Sequence, residues 1–308
     1  MEDSTILQII QSCGFCQAED VKNLQIMKSG MTNHSYSFYF NNKRFIIRIP
    51  GEGTGQLINR FQEYNVYCAV SPLDISECVH YFDPVSGIKI ASFLENAYTC
   101  DKNDWNSVRK CMTALRSFHS KRLYVEHNFD LWERILYYEY LWHGTSSRYP
   151  DYAQVKDSIF TLRKYIEAQP RENVLCHIDS IPDNFMFVTH RNSDQTVKLI
   201  DWEYAGMQDP HLDIAMFAIY AMYDRNQIDN LIDLYFLGNC NHLTRMKIYC
   251  YIAASGLLWS NWCEFKCHCG VEFGVYAQRQ YEYAKQYSKI FCEEYREEFG
   301  RAYAEIHN

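Results

Sequence analysis

The sequence predicts an α+β fold of two lobes, a small β-rich N-terminal lobe followed by a larger, mostly helical C-terminal lobe. Three observations predict it. Strand-like alternation is concentrated in residues up to roughly 95. From Asp101 onward, apolar residues recur at intervals of three and four, as on one face of a helix. A single strand-rich island, Val174 to Asp201, interrupts those helices. The crevice between such lobes is the default place for a ligand.

The elements follow in order. Asp3 or Ser4 can cap a short helix that buries Ile6, Leu7 and Ile10 and is closed by Gly14. Tyr36–Phe40 and Arg44–Ile49 flank Asn41-Asn42-Lys43, the pattern of a hairpin with Asn at the turn. Gly51, Gly53 and Gly55 form a loop before a helical stretch through Ile58, Phe61 and Tyr64, and Gly87 to Leu94 reads as a further strand. Trp105, Val108, Met112, Leu115 and Phe118 mark the first helix of the second lobe. Further helices are expected around 130–143, 151–168, 212–224, 227–237, 243–262 and 274–305. The lobes are thus drawn as 1–95 and 96–308, with a hinge near 92–96.

Composition narrows the function. The chain of 308 residues is 47% hydrophobic and 22% charged, as expected of a chain that buries a real core. A formal net charge of -8, without clustered Lys and Arg, argues against nucleic acid and against anionic membrane surfaces. The start, MEDSTIL, carries acids where an export signal would carry basic residues. The apolar runs Ile214 to Tyr223 and Ile248 to Trp259 fall short of the ~18 residues of a membrane span. Thirteen irregularly spaced Cys read as reduced thiols, and the expected location is cytoplasmic. Cys263, Cys267, His268 and Cys269 lack a CxxC knuckle and read as free thiols and a surface His rather than a zinc site. Nothing in the sequence specifies an oligomeric state.

The island carries the chemistry. Cys176 to Val188 contains H-x-D-x-x-x-x-N, from His177 through Asp179 to Asn184, and leads into a strand, a polar turn and a second strand ending in Asp201-Trp202-Glu203. Phosphoryl transfer wants such a set: one Asp on a tight loop beside the acceptor hydroxyl, with an Asn and a second Asp converging as hard oxygen ligands for Mg²⁺. Asp183 and Asp209 read as a solvated loop residue and a turn residue.

CHIDSIPDNFMFV followed by VKLIDWEYAGMQDPHLDIAMF resembles the choline kinase and aminoglycoside phosphotransferase branch of the protein-kinase-like fold, and within it the bacterial choline kinases. The likeness runs over nearly the whole chain. It implies an ATP- and Mg²⁺-dependent kinase in which Asp179 is the catalytic base. By the same likeness Asn184 and Asp201 are metal ligands, with Glu203 assisting at a second ion. His177 would hold the loop backbone rather than do chemistry, and Asp213 would brace the same loop.

The nucleotide side is less strongly marked. Gly30, Thr32, Asn33 and Ser35 stand where a kinase carries its phosphate-covering turn, but with one Gly the segment fails as GxGxxG and alone reads as a turn. The resemblance implies a G-x-[ST]-N turn whose donors reach phosphate oxygens. Arg48 stands at the strand position where a protein kinase places its phosphate-binding Lys, and its planar fork suits phosphate. Glu63 on the next helix is its expected ion-pair partner, and a hinge through Phe93 and Glu95 would contact adenine by backbone groups.

For the acceptor, Trp259 and Trp262 lie three apart on one helix face, a pattern that by itself reads as core packing. Behind a kinase centre such rings can bind quaternary ammonium through cation–π attraction, worth ~0.5–2 kcal/mol per ring. The W-x-x-W with its following EFG and YAQ resembles the choline-binding portion of choline kinases, which makes Trp259, Trp262, Phe273 and Tyr276 cage candidates, joined by Tyr223. Choline is the expected small-molecule acceptor. Ethanolamine, thiamine or an aminoglycoside would need the same chemistry. Glu293, Glu294, Glu297 and Glu298 fit a solvated helix face better than an aminoglycoside surface. A non-catalytic ATP-binding protein is disfavoured because Asp179, Asn184 and Asp201 are all present.

Overall fold

A computed structural model of the chain describes residues 2–27, 33–51, 54–142, 146–190 and 193–307, with side chains through residue 295. Gly30 and Thr32, and the side chains of Glu297 and Glu298, lie outside the described residues.

The chain opens with helix α1 (Asp3–Ser12), which buries Ile6 and Ile10. Gly14 follows in the left-handed region at φ 66°, where the helix turns off. Strands β1 (Lys22–Ile26), β2 (Asn33–Phe40) and β3 (Lys43–Pro50) come next. β2 and β3 pair antiparallel around Asn41 and Asn42 at φ 49° and 59°, the double positive φ of a two-residue hairpin turn. After helix α2 (Arg60–Val70), β4 (Val79–Phe82) and β5 (Lys89–Ser92) complete a five-stranded antiparallel sheet in the order β1-β2-β3-β5-β4. Phe38, Phe45, Ile47 and Ile90 pack with Ile6 and Ile10 as one small core. β1 and β4 escape the sequence pattern because they are short and little buried.

β6 (Ala97–Thr99) leaves the first sheet and pairs with β8 of the strand-rich island. Helices α3 (Trp105–Ser120), α4 (Leu131–Leu141) and α5 (Tyr152–Ala168) precede β7 (Val174–Cys176), β8 (Phe185–Thr189), β9 (Gln195–Leu199) and β10 (Gly206–Gln208). Asp104 and Asp130 cap α3 and α4, each accepting from two backbone N–H groups of the first turn. The last helices are α6 (His211–Tyr220), α7 (Arg225–Phe236), α8 (His242–His268) and α9 (Val275–His307). α8 is buried almost continuously from Met246 to Glu264, as a central helix apolar on all sides should be. It meets α9 so closely that a Cβ on Gly256 would lie 2.6 Å from the Gln280 carbonyl oxygen. Glycine is what permits that crossing.

The larger core spans these helices and the island strands, and it also takes in Val66, Tyr67 and Val70 of α2. The first 95 residues therefore hold a sheet core of their own plus one helix packed into the other lobe. That places α2 between the lobes, with the faces of its side chains available to both. Among the described residues, no helix is long and apolar enough to cross a membrane.

Candidate active site

The island delivers its side chains by strand register. β7 pairs with β10 and launches His177, Ile178 and Asp179 from its end. β8 and β9 pair from Phe185↔Leu199, so the residues just outside the ladder, Asn184 and Ile200, meet, and Ile200 N donates to Asn184 O at 3.0 Å. Asp201 is thereby set beside Asn184, at φ 65°.

Ile178 also lies in the left-handed region, at φ 67°, a conformation costly for a β-branched residue. Asp213, wholly buried in the first turn of α6, holds it there. Its carboxylate accepts from His177 N at 2.8 Å and Ile178 N at 2.7 Å, and from His119 Nε2 at 2.9 Å. His177 is buried, its ring against Trp202 and its Nε2 donating to Ile200 O at 2.9 Å. Burial pushes His177 below its ordinary pKa, so it is a neutral strut.

Asn184 Nδ2 donates to the Asp179 carboxylate at 3.0 Å and to the Asp179 carbonyl at 2.8 Å. Its amide oxygen is left for another partner. Burial, with the charges of Asp201 and Glu203, pushes Asp179 well above the usual carboxylate range. Asp201 is pushed up to about 7 by burial and by Glu203, against the pull of Arg48. Carboxylates held this high are short of positive charge. A divalent cation between the Asn184 amide oxygen and Asp201 would supply it, and the donor set is the hard oxygen kind that Mg²⁺ takes.

Arg48 sits on β3, opposite Ser35 on one side and Lys89 on the other. Its Nη1 lies 2.6 Å from Glu63 Oε1, 3.4 Å from Asp201 Oδ1 and 3.8 Å from Glu203 Oε2. Its Nε and Nη2 are buried without a hydrogen-bond partner among the described residues. Buried guanidinium donors of that kind suit an anion. Glu63 is fully buried, and the expected Arg48–Glu63 pair is present.

Three further charges crowd this wall that the sequence reading passed over. Arg60, 8% exposed, donates to Glu63 Oε2 at 2.7 Å, to Glu203 Oε2 at 3.0 Å and to Asn33 Oδ1 at 3.1 Å. Asn33 Nδ2 in turn donates to Glu203 Oε2 at 2.9 Å. Lys89 pairs with Glu77 at 2.6 Å and donates to the Tyr67 hydroxyl. Arg60 precedes Glu63 by three residues, which a helix brings to one face, but its partners Asn33 and Glu203 are far away in sequence.

Asn33, Arg48, Glu77, Lys89, Asp179, Asn184, Asp201 and Glu203 line one cleft of ≈ 680 Å³, and Glu63, Arg60, His177 and Asp213 stand behind that lining. At one end Phe93, Leu94 and Ala97 line it, with the Arg44 guanidinium 3.8 Å from the Phe93 ring. Glu95 is exposed and its side chain does not line the cleft. Ser35, Arg48, Asp179, Asn184, Asp201 and Glu203 occupy the middle. At the other end stand Tyr204, Tyr220, Trp259, Trp262 and Tyr276. Tyr204 and Trp259 cross edge-on at 5.7 Å, as do Trp259 and Trp262, and Tyr220 meets Tyr276 at 5.7 Å. Phe273 backs Trp262 at 5.0 Å from outside the lining.

Tyr223 is the misplaced member of the expected cage. The helix expected over 212–224 ends at Tyr220, and Met222 at φ 57° turns the chain. Tyr223 therefore enters the core, stacks on Trp105 at 5.4 Å and donates its hydroxyl to Lys102 O. Tyr220, one helical turn earlier, is the residue that faces the cleft. Tyr204, directly after Glu203, was also missed.

Residues 24–232, more than half of the chain, match the family model for choline/ethanolamine kinase. The chain is 27% identical over 274 residues to protein LicA of Haemophilus influenzae, covering 83% of this chain and 77% of that protein. The crystal structure of choline kinase LicA from Streptococcus pneumoniae superposes with a TM-score of 0.79 at 27% identity, over 93% of this chain and 98% of that one. LicA in complex with AMP gives 0.78 at 27% identity, over 94% and 98%. An aminoglycoside phosphotransferase bound to ADP and hygromycin B shares the fold, with a TM-score of 0.62 at 13% identity over 92% and 97%.

Proposed function

The chain belongs to the choline/ethanolamine kinase family, and from that premise we propose that it transfers the γ-phosphate of ATP to the hydroxyl of choline, giving phosphocholine and ADP. The observation that carries the reading is the continuity of one cleft, from the hinge-side residues through Arg48 and Asp179 to five aromatic side chains.

In this reading Phe93 and the neighbouring backbone receive the adenine, and Asn33, Ser35 and Arg48 receive the phosphates. The orphan donors of Arg48, Nε and Nη2, take phosphate oxygens, while Glu63 fixes the guanidinium from behind. Asn184 and Asp201 would hold Mg²⁺. The ion, when bound, supplies charge neutralisation across the phosphates. Asp179 is held at Oδ2 by Asn184, so Oδ1 is the oxygen that meets the acceptor hydroxyl. As the hydroxyl oxygen bonds to the γ-phosphorus and the bond to the β-phosphate oxygen breaks, the proton passes to Asp179.

The aromatic end supports a quaternary ammonium acceptor. Electron-rich faces of Tyr204, Tyr220, Trp259, Trp262 and Tyr276 attract a compact cation without demanding hydrogen-bond donors from it. An aminoglycoside reading draws no support from the last helix, where Glu294 is committed to an ion pair with Arg225. The division into lobes at about residue 95 is supported by the strand β6, which leaves the first sheet to pair with β8.

The test is coupled ADP release over choline, ethanolamine, thiamine and kanamycin with Mg²⁺ present. Choline should give the highest kcat/KM. A preference for any of the other three overturns the acceptor, and Mg-ATP binding with no transfer to any of them overturns the reaction.

A further inference from the structure

Glu203 was expected to assist at a second metal ion, and its surroundings give it different work. Its side chain is 3% exposed, and Oε2 receives Arg60 Nη1 at 3.0 Å and Asn33 Nδ2 at 2.9 Å. Arg60 also holds Glu63 Oε2 at 2.7 Å, while Arg48 holds Glu63 Oε1 at 2.6 Å. Arg60 thus joins three parts of the molecule: Asn33 at the start of β2, helix α2, and the acidic turn after β9.

The fold makes room for it. Gly87, at φ 74°, lies against the Arg60 stem, and a Cβ there would come within 2.9 Å of both Arg60 Cδ and Nε. A glycine whose backbone also requires that conformation leaves the guanidinium its path between the lobes.

We propose that Arg60 is a positioning residue for phosphoryl transfer. It draws the Glu203 carboxylate toward α2 and away from the divalent cation, and it ties Asn33 to the floor of the cleft. Charge gives the reason. Asp179, Asp201 and Glu203 converge on one region, and Glu203 as a second coordinating carboxylate beside Asp201 would hold the cation too rigidly for phosphates to share it. Arg60 removes that competitor by pairing it. The same contact fixes Asn33, one of the expected phosphate-covering residues, so metal and nucleotide binding both draw on this one side chain. The inference rests on the Mg-ATP kinase reading but not on the identity of the acceptor.

Binding of Mn²⁺ to nucleotide-free enzyme, followed by the electron paramagnetic resonance of free Mn²⁺, tests it together with KM for ATP. Arg60→Met should bind Mn²⁺ about tenfold tighter, because Glu203 loses the nearer of its two cations, keeping only Arg48 Nη1 at 3.8 Å, and more of its charge is released toward the metal. The same variant should raise KM for ATP about tenfold, because Asn33 loses the guanidinium that holds its Oδ1 at 3.1 Å. A structural collapse would weaken both, so the opposite signs are diagnostic. Adding Glu203→Gln should abolish the gain in Mn²⁺ affinity and leave KM for ATP raised. Arg60→Lys keeps the charge, so it should hold Mn²⁺ affinity near wild type; a point charge cannot bridge Asn33 and two carboxylates, so KM for ATP should still rise. Should Arg60→Met not fold, Arg60→Lys and Glu203→Gln decide the matter alone. Mn²⁺ affinity unchanged or weakened in Arg60→Met overturns the proposal. So does a Glu203→Gln single variant that loses Mn²⁺ as severely as Asp201→Asn, since Glu203 would then be a ligand. Absence of Mn²⁺ binding in the nucleotide-free wild-type enzyme would likewise overturn the proposal, whereas the kinase reading beneath it falls only if Mg-ATP binds with no phosphate transfer.

Discussion

Asn184 Nδ2 donates to the Asp179 carboxylate at 3.0 Å, so the side chain whose oxygen faces the metal position also fixes the acid expected to take the proton. The two duties are separable. Asp179→Asn keeps the shape and removes the proton acceptor, and kcat should fall by about two to four orders of magnitude. The dissociation constant for ATP, measured by fluorescence titration, should change by no more than about twofold. Near-normal turnover in that variant would refute Asp179 as the base.

The aromatic end makes a prediction with its own control. Trp259→Ala removes one ring face and should raise KM for choline by about 2- to 30-fold, with a smaller effect on ethanolamine. Tyr223→Phe, by contrast, touches no part of the cleft. It removes a hydrogen bond to Lys102 O inside the core, so KM for choline should be unchanged while unfolding free energy drops by about 1 kcal/mol. If Tyr223→Phe raises KM and Trp259→Ala does not, the cleft's aromatic end has been assigned to the wrong residues.

The difference between Tyr220 and Tyr223 shows where sequence reasoning runs out. Both lie three residues apart in an apolar run, and periodicity does not reveal that the helix stops at Tyr220. The H-x-D-x-x-x-x-N segment was legible because its meaning is local: loop, strand, turn and strand are contiguous, and register alone brings Asn184 to Asp201. The Arg48–Glu63 pair was legible only through the family resemblance, which places a phosphate-binding cation on this strand and its acidic partner on the next helix. Arg60 was not legible. Its partners Asn33 and Glu203 lie 27 and 143 residues away, and only the assembled lobes bring them within reach. The short strands β1, β4 and β6 were invisible for a simpler reason, since none of their residues is buried and so no apolar alternation marks them, and the three residues of β10 are too few to display one.

The buried Lys89–Glu77 pair should write itself into the pH dependence of stability. Burial alone would raise Glu77, but the Lys89 ammonium and the hydroxyls of Ser76 and Tyr67 override it and hold the carboxyl at about 2, below its ordinary value of 4.5. A depressed carboxylate contributes stability that is fully present above pH 4.5 and is lost as pH falls toward 2. That contribution is on the order of 3 kcal/mol. Denaturant unfolding of wild type and Glu77→Gln from pH 6 to 3 should therefore give curves that converge as pH falls. Parallel curves across that window would mean the pair contributes nothing that titrates.

Asp213 offers the sharpest test of how the loop is held. Ile178 at φ 67° carries a backbone cost of about 1–3 kcal/mol, and the loop tolerates it because both oxygens of Asp213 receive its amides. Asp213→Asn keeps the volume but replaces one acceptor with a donor, which would confront an N–H of the loop or the His119 ring. The loop then relaxes toward an ordinary conformation and Asp179 leaves its place beside Asn184. Turnover should fall about 10- to 100-fold while KM for ATP stays within about threefold, because Arg48 and its neighbours belong to other elements. A purely destabilising change would lower the yield of folded enzyme without altering kcat per active site. Active-site titration separates the two outcomes, and an unaltered kcat per site would show that Asp213 holds the fold but not the chemistry.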